Sequence, residues 1–208
     1  MQGVRFAGPL AYVVTFRQTD PLFVVDLADP AHPRLAGSVG LLGYSAYLHP
    51  LGNGLLLGVG QDATPDGGRT GLLMSLFDVS NPAAPRLLDR VTLPGAWAQV
   101  ESDAHAFTYA DGLTLVPLQP GTAVPSSDGS DPAADGGAMV AVRVEGRGLG
   151  APTVLHLQNG RAAAAADPGN LRAFVDDGSV WSVAPGTPQG VAAVHDESTL
   201  RWVAATTF

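Results

Sequence analysis

His49, Asp103 and His105 are the side chains of this 208-residue chain whose types could do chemistry together. Two imidazoles and a carboxylate converging on one point would make a transition-metal site or an acid/base pair. Convergence requires the segments that start at Ser45 and Ala104 to be neighbouring inner strands, with the three side chains near a shared axis. Hydrogen-bonded structural roles are the simpler reading. Arg17, beside Gln18 and Asp20, would either join such a pocket or pair with a nearby carboxylate. Arg17, His49, Asp103 and His105 are therefore the candidate ligand-binding residues. Asp62 and Asp66 share a loop whose carbonyls add further oxygens, a donor set suited to Ca2+. Asp128, Asp131 and Asp135 offer a second acidic cluster. Neither has the spacing of an EF-hand loop, and acidic loops are ordinarily just solvated. No cofactor beyond such a Ca2+ ion is indicated.

Other chemistries lack their residues. Gly58-Val59-Gly60-Gln61-Asp62-Ala63 fits a loose dinucleotide-loop pattern, but Pro65, Gly67 and Gly68 follow where a helix N-terminus would have to receive the pyrophosphate. The simpler reading is a strand ending in small residues at a close packing point. Gly43-Tyr44-Ser45-Ala46-Tyr47 lacks the second glycine of a nucleophile elbow, and neither H-E-x-x-H nor a phosphate loop occurs. With no cysteine there is no disulfide, thiol nucleophile or thiolate metal site. A net charge of −8 with 11 basic residues disfavours nucleic acid and anionic membrane surfaces as partners. No apolar run reaches the roughly 18 residues of a membrane span, and Met1 to Arg5 does not open a signal peptide.

The elements that must position these residues are short and repeated. Asp26-Leu-Ala-Asp29-Pro30-Ala-His-Pro33-Arg34-Leu35 returns as Asp78-Val-Ser-Asn81-Pro82-Ala-Ala-Pro85-Arg86-Leu87. Each copy follows one apolar run and precedes another, so the repeated unit is strand, Asp/Pro turn, strand. The aspartate and asparagine oxygens are suited to accept backbone N–H groups within the turn, and the prolines cannot donate to a ladder, so the turn lies outside the sheet. A period of about 50 residues without helical patterning predicts propeller blades. The apolar segments sort into four groups of four, at about 4–41, 45–93, 104–157 and 171–208. Asn53-Gly54, Asp111-Gly112 and Asp177-Gly178 stand at equivalent hairpin positions in three groups, and Gly8-Pro9 stands there in the first. In the third group the repeated phrase reads as Glu145 with Pro152, at the spacing of Asp78 and Pro85. The polar stretch 121–137 predicts a mobile loop, and the alanine run 161–167 either a short helix or a loop. Trp97, Trp181 and Trp202 are spread as inter-blade packing residues would be, with carbohydrate stacking the alternative for an exposed Trp97.

The expected fold is thus all-β: one domain over 1–208, a β-propeller of about four four-stranded antiparallel blades. An arc of a larger ring is preferred over a closed one. Each repeat buries its apolar faces against neighbours, so an open arc would leave a face uncovered at each end, free for missing blades or for self-association.

Leu22-Phe23-Val24-Val25-Asp26-Leu27-Ala28-Asp29-Pro30 resembles the LVIVD repeat of bacterial and archaeal surface proteins. Ala11-Tyr12-Val13-Val14-Thr15-Phe16-Arg17-Gln18, Ser45-Ala46-Tyr47-Leu48-His49-Pro50 and Gly54 to Asp62 resemble a secreted β-propeller family distantly related to WD repeats. Val180-Trp181-Ser182-Val183 and Leu200-Arg201-Trp202-Val203 are similar to that family's closing segment. Family members are longer and begin with an export signal, so the resemblance covers a C-terminal half. It implies a secreted or cell-surface location, and an Asp-His pair that here reads Asp103-Ala104-His105. The functional expectation is a non-enzymatic extracellular or cell-surface interaction module with a protein or glycan ligand. The alternative is a metal-dependent propeller hydrolase or lyase using His49, Asp62 and His105 at the channel mouth.

Overall fold

Two-residue turns and alternating apolar residues fold the described residues into four antiparallel sheets, three of them meanders in chain order. The computed structural model describes residues 3–15, 20–119, 137–157, 168–186 and 190–208. Arg17, the Asp128, Asp131 and Asp135 cluster, nearly all of the 121–137 loop and the alanine run lie outside these residues.

The first sheet consists of β1 (Gly3–Ala7), β2 (Leu10–Val14), β3 (Asp20–Asp26) and β4 (Arg34–Leu41). The second consists of β5 (Tyr44–Gly52), β6 (Leu55–Ala63), β7 (Arg69–Asp78) and β8 (Arg86–Pro94). The third is built on β9 (Thr108–Ala110), β10 (Leu113–Pro117), β11 (Ala138–Glu145) and β13 (Thr153–His156), with the two-residue strand β12 (Gly148–Leu149) between the last two in sequence. The fourth consists of β14 (Arg172–Asp176), β15 (Ser179–Ala184), β16 (Val191–Asp196) and β17 (Trp202–Thr207). The chain groups into two compact units, residues 1–94 with 146–149 and residues 95–145 with 150–208.

The hairpins form where expected. Asn53-Gly54, Asp111-Gly112 and Asp177-Gly178 all have positive φ at both residues, the twist that matches a two-residue hairpin to its strands. The first sheet reaches the same end with Gly8 at φ 57 before Pro9.

The register fixes equivalent positions. Leu10, Leu55, Leu113 and Ser179 start the second strands and lie opposite Asp26, Asp78, Arg143 and Asp196 respectively. The third copy therefore aligns on Arg143, two residues before the Glu145 expected from spacing to Pro152. The backbone agrees, because Leu27, Val79, Val144 and Glu197 each donate to the carbonyl at the opposing hairpin. The fourth copy of the aspartate, Asp196, is invisible to a search for the proline-rich phrase.

The aspartates work as turn formers. Asp26 Oδ1 accepts the Ala28 N–H at 2.9 Å and Asp29 Oδ1 that of Ala31 at 3.0 Å, matched by Asp78 on Ser80 at 3.0 Å and Asn81 on Ala83 at 3.1 Å. Asp196 Oδ1 accepts from the Ser198 hydroxyl and from both the N–H and hydroxyl of Thr199, each at 2.7 Å. These bonds, that of Ser198 first, depress the Asp196 carboxyl to about 2. Residues 104–107 form a turn and not the expected start of β9, because Asp103 Oδ1 accepts the His105 N–H and the Asp103 carbonyl that of Ala106.

Each unit buries one sheet-to-sheet interface. In the first, Tyr12, Val14, Leu22 and Val24 of the first sheet pack on Leu48, Leu56, Leu73 and Phe77 of the second. In the second unit, Leu115, Met139 and Ala141 of the third sheet pack on Val180, Ala184 and Val191 of the fourth. Burial alternates strictly along β15 and β16, as a pleated strand covered on one face requires. Gly37 on β4 sits against the second copy of the repeated turn, where a Cβ would come within 2.5 Å of the Pro82 carbonyl oxygen. Gly37→Val should therefore force the sheets of the first unit apart and lower stability by about 1–3 kcal/mol, read as a lower urea midpoint. An unchanged midpoint would show that this approach is not tight.

Candidate binding site

β5 carries His49, and the structure surrounds it with residues the sequence did not single out. Tyr47 and His49, two apart on one strand, share a face. Their rings stack with centroids 6.3 Å apart and planes 21° from parallel. Both are half-buried, whereas Arg5 on the neighbouring β1 is exposed. Arg5 lies close enough to act on both ionisations. The His49 imidazole is held below its ordinary value, first by burial and then by the Arg5 charge. Burial raises the Tyr47 phenol while Arg5 pulls it down. This edge places a guanidinium beside an imidazole whose protonation is disfavoured and a phenol, groups whose chemistry suits an anion.

Asp103 and His105 belong to the second unit. His105 Nδ1 lies 3.1 Å from Asp103 Oδ1, with the His105 side chain 91% exposed. Arg172 Nη2 donates to the other oxygen, Oδ2, at 2.5 Å. The His105 N–H, first of all, holds the Asp103 carboxyl below its usual range. This is an ion-pair network at a turn. Asp62 lies within β6 and not in the loop expected to hold it with Asp66, and it is engaged: Oδ1 accepts from Arg90 at 2.5 Å and Oδ2 from the Thr70 hydroxyl at 3.0 Å. Asp66 is exposed, its carboxyl lowered chiefly by a hydrogen bond from the Thr64 side chain. Among the described residues no three His, Cys, Asp or Glu side chains group as metal ligands.

The Gly58-to-Ala63 stretch is continuous β6, and its glycines answer a steric need within the sheet. A Cβ at Gly60 would lie 2.1 Å from the Tyr44 carbonyl oxygen, and one at Gly58 would lie 2.3 Å from Ser45 Oγ.

A family model for a beta propeller domain matches residues 1–176. The chain belongs to the β-propeller domain family. An uncharacterised protein of Methanocaldococcus jannaschii is 43% identical over 106 residues, covering 51% of this chain and 16% of that protein. One from Archaeoglobus fulgidus is 36% identical over 141 residues, covering 58% of this chain and 22% of that protein. The propeller blades described here thus span less than a quarter of the length of the curated relatives they match. Among solved structures, a europium-containing methanol dehydrogenase superposes over 98% of this chain and 40% of its own, with a TM-score of 0.51 and 11% identity, a likeness of fold alone.

A second notable side chain escaped the sequence reading. His195 precedes Asp196 as Phe77 precedes Asp78, so an imidazole occupies an apolar interface position of the fourth blade. Register, once known, is the signal that finds it. Its ring is 2% exposed and its Nδ1 has no hydrogen-bond partner among the described residues. Burial first, then His156, pushes its pKa down to about 4, against a hydrogen bond with the His156 backbone. Because the unfolded chain takes up this proton near pH 6.5 and the fold resists it until about 4, stability is full above 6.5 and falls as pH drops through that window. His49 acts in the same direction. The His195 contribution is on the order of 2 kcal/mol after allowing for solvent screening. Denaturant titrations at pH 7 and pH 4.5 should show the loss, and His195→Leu should reduce it. An equal loss in the variant would assign it elsewhere.

Proposed function

We propose that these blades form a non-enzymatic extracellular or cell-surface interaction module that recognises a carboxylate-bearing protein or glycan. The observation carrying the reading is the Arg5, Tyr47 and His49 edge, a cation on one sheet beside two hydrogen-bonding rings on the contacting strand of the next. Strands make such an edge more rigid than a loop would, so less conformational entropy is lost on binding. The surrounding net charge of −8 makes Arg5 the decisive group, because a carboxylate approaching an acidic protein needs local compensation. The surface location rests on the sequence resemblance to secreted propellers.

Calorimetry with polygalacturonate, a carboxylated glycan, against uncharged amylose tests the recognition chemistry. Polygalacturonate should bind with an affinity that falls as salt rises, and Arg5→Ala should weaken it at least tenfold. Equal affinity for both polymers, or no effect of Arg5→Ala, would sink the carboxylate reading. Metal analysis of protein purified without chelator examines the hydrolase alternative. A stoichiometric ion lost in both His49→Ala and His105→Ala would favour that alternative over a binding module.

A further inference from the structure

Among the described residues, two blade faces carry exposed apolar side chains, and their register shows what each is built to meet. In the first blade the face turned away from the second comprises Ala11, Val13, Phe23 and Val25, extended by Phe6 and Val4 on β1 and Leu35 on β4. Phe6 is 70% exposed and Leu35 63%, whereas Val13, Phe23 and Val25 are half-buried and Ala11 is buried. These core positions correspond through Asp26 and Asp78 to Leu56, Gly58, Ser75 and Phe77, the second-blade face that receives the first blade. In the fourth blade the open face comprises Trp181, Val183, Ala192 and Val194, with Phe174 stacked on Trp181 at 6.1 Å. Phe174 is 47% exposed. These positions correspond through Asp196 and Asp26 to Tyr12, Val14, Leu22 and Val24, the first-blade face that buries itself on the second.

The described residues therefore present both halves of one type of interface. We propose that the open face of the fourth blade docks on the open face of the first blade of a second copy of this chain, head to tail. Within the first unit the matching residues already make this union: Tyr12, Val14, Leu22 and Val24 are each no more than 5% exposed there. The open faces offer the same chemistry, aromatic and β-branched side chains on pleated strands, with no charged residue at the core positions named. Such contact is heterologous, so two copies form a closed pair where the rotation allows and a longer chain of copies where it does not.

Light scattering after size exclusion, from 1 to 100 μM, gives the first reading. An assembly of two or more copies is expected, and a monomer throughout the range would overturn the proposal. Phe6→Asp and Phe174→Asp, both at exposed positions, should each reduce the assembly by at least one interface. Mixing the two variants supplies the decisive reading, because each keeps the face the other has lost. A one-to-one complex should form from the mixture at concentrations where each variant alone is monomeric. Failure of the mixture to associate, with both variants retaining the parent circular dichroism spectrum, would rule out head-to-tail docking. Assembly unaffected by either substitution would overturn it as well.

Discussion

A four-stranded sheet with apolar side chains on both faces cannot persist alone in water, and this constraint governs the whole chain. Alternation along a pleated strand sends successive residues to opposite faces. Where both sets are apolar, as Leu56 and Leu57 or Phe77 and Leu76 are, two neighbours are needed to cover one sheet. A fully buried side chain of that size contributes about 1.5–3 kcal/mol, so a face left open forgoes the larger part of what the sheet was built to gain. Sideways stacking of similar sheets satisfies the requirement repeatedly with one design.

Stacking requires each strand to stop at the same place, and the acidic residues do that. Asp26, Asp78 and Asp196 end the third strand of their blades and cap the following turn with backbone and hydroxyl hydrogen bonds. In the second blade the carboxylate does more. Asp78 also receives Arg147 at 2.5 Å and lies 3.7 Å from Arg86, so the turn is tied to a neighbouring segment as well as to itself. Arg143 occupies the corresponding place in the third blade, and its guanidinium donates to the Glu197 carbonyl, in the turn that Asp196 organises. A carboxylate in one blade and a cation in another thus serve the same joint. The acidic composition is to this extent architectural.

Much of the fold was legible because hairpin chemistry and alternation are local. Asn53-Gly54, Asp111-Gly112 and Asp177-Gly178 announce their turns with residues that tolerate positive φ, and the four sheets follow from them. Register was legible only where the phrase survived intact. Spacing alone placed the third copy on Glu145, since a search for acid and proline cannot see that Arg143 faces Leu113. It also missed Asp196, whose turn closes with serine and threonine hydroxyls and needs no proline. Of the polar site, His49 could be read, but Tyr47 and Arg5 could not. Tyr47 looks like one more strand aromatic, and Arg5 approaches because β1 of the first sheet lies against β5 of the second. The turn at Asp103 was hidden for a related reason: Ala104 to Tyr109 has strand-like composition, and a side-chain hydrogen bond redirects it.

The open face and the polar edge meet on one strand. β1 sends Val4 and Phe6 to the uncovered face of the first blade, and places Arg5 between them. All three are exposed, so β1 is held mainly by its ladder to β2 and by its edge against β5. Ordering a residue costs about 1–2 kcal/mol of backbone entropy, and a strand covered on one side only is where local opening concentrates. Docking on Val4 and Phe6 would supply the missing cover and fix the backbone from which Arg5 projects. Assembly and recognition would then reinforce each other through entropy already lost, with no change of shape required.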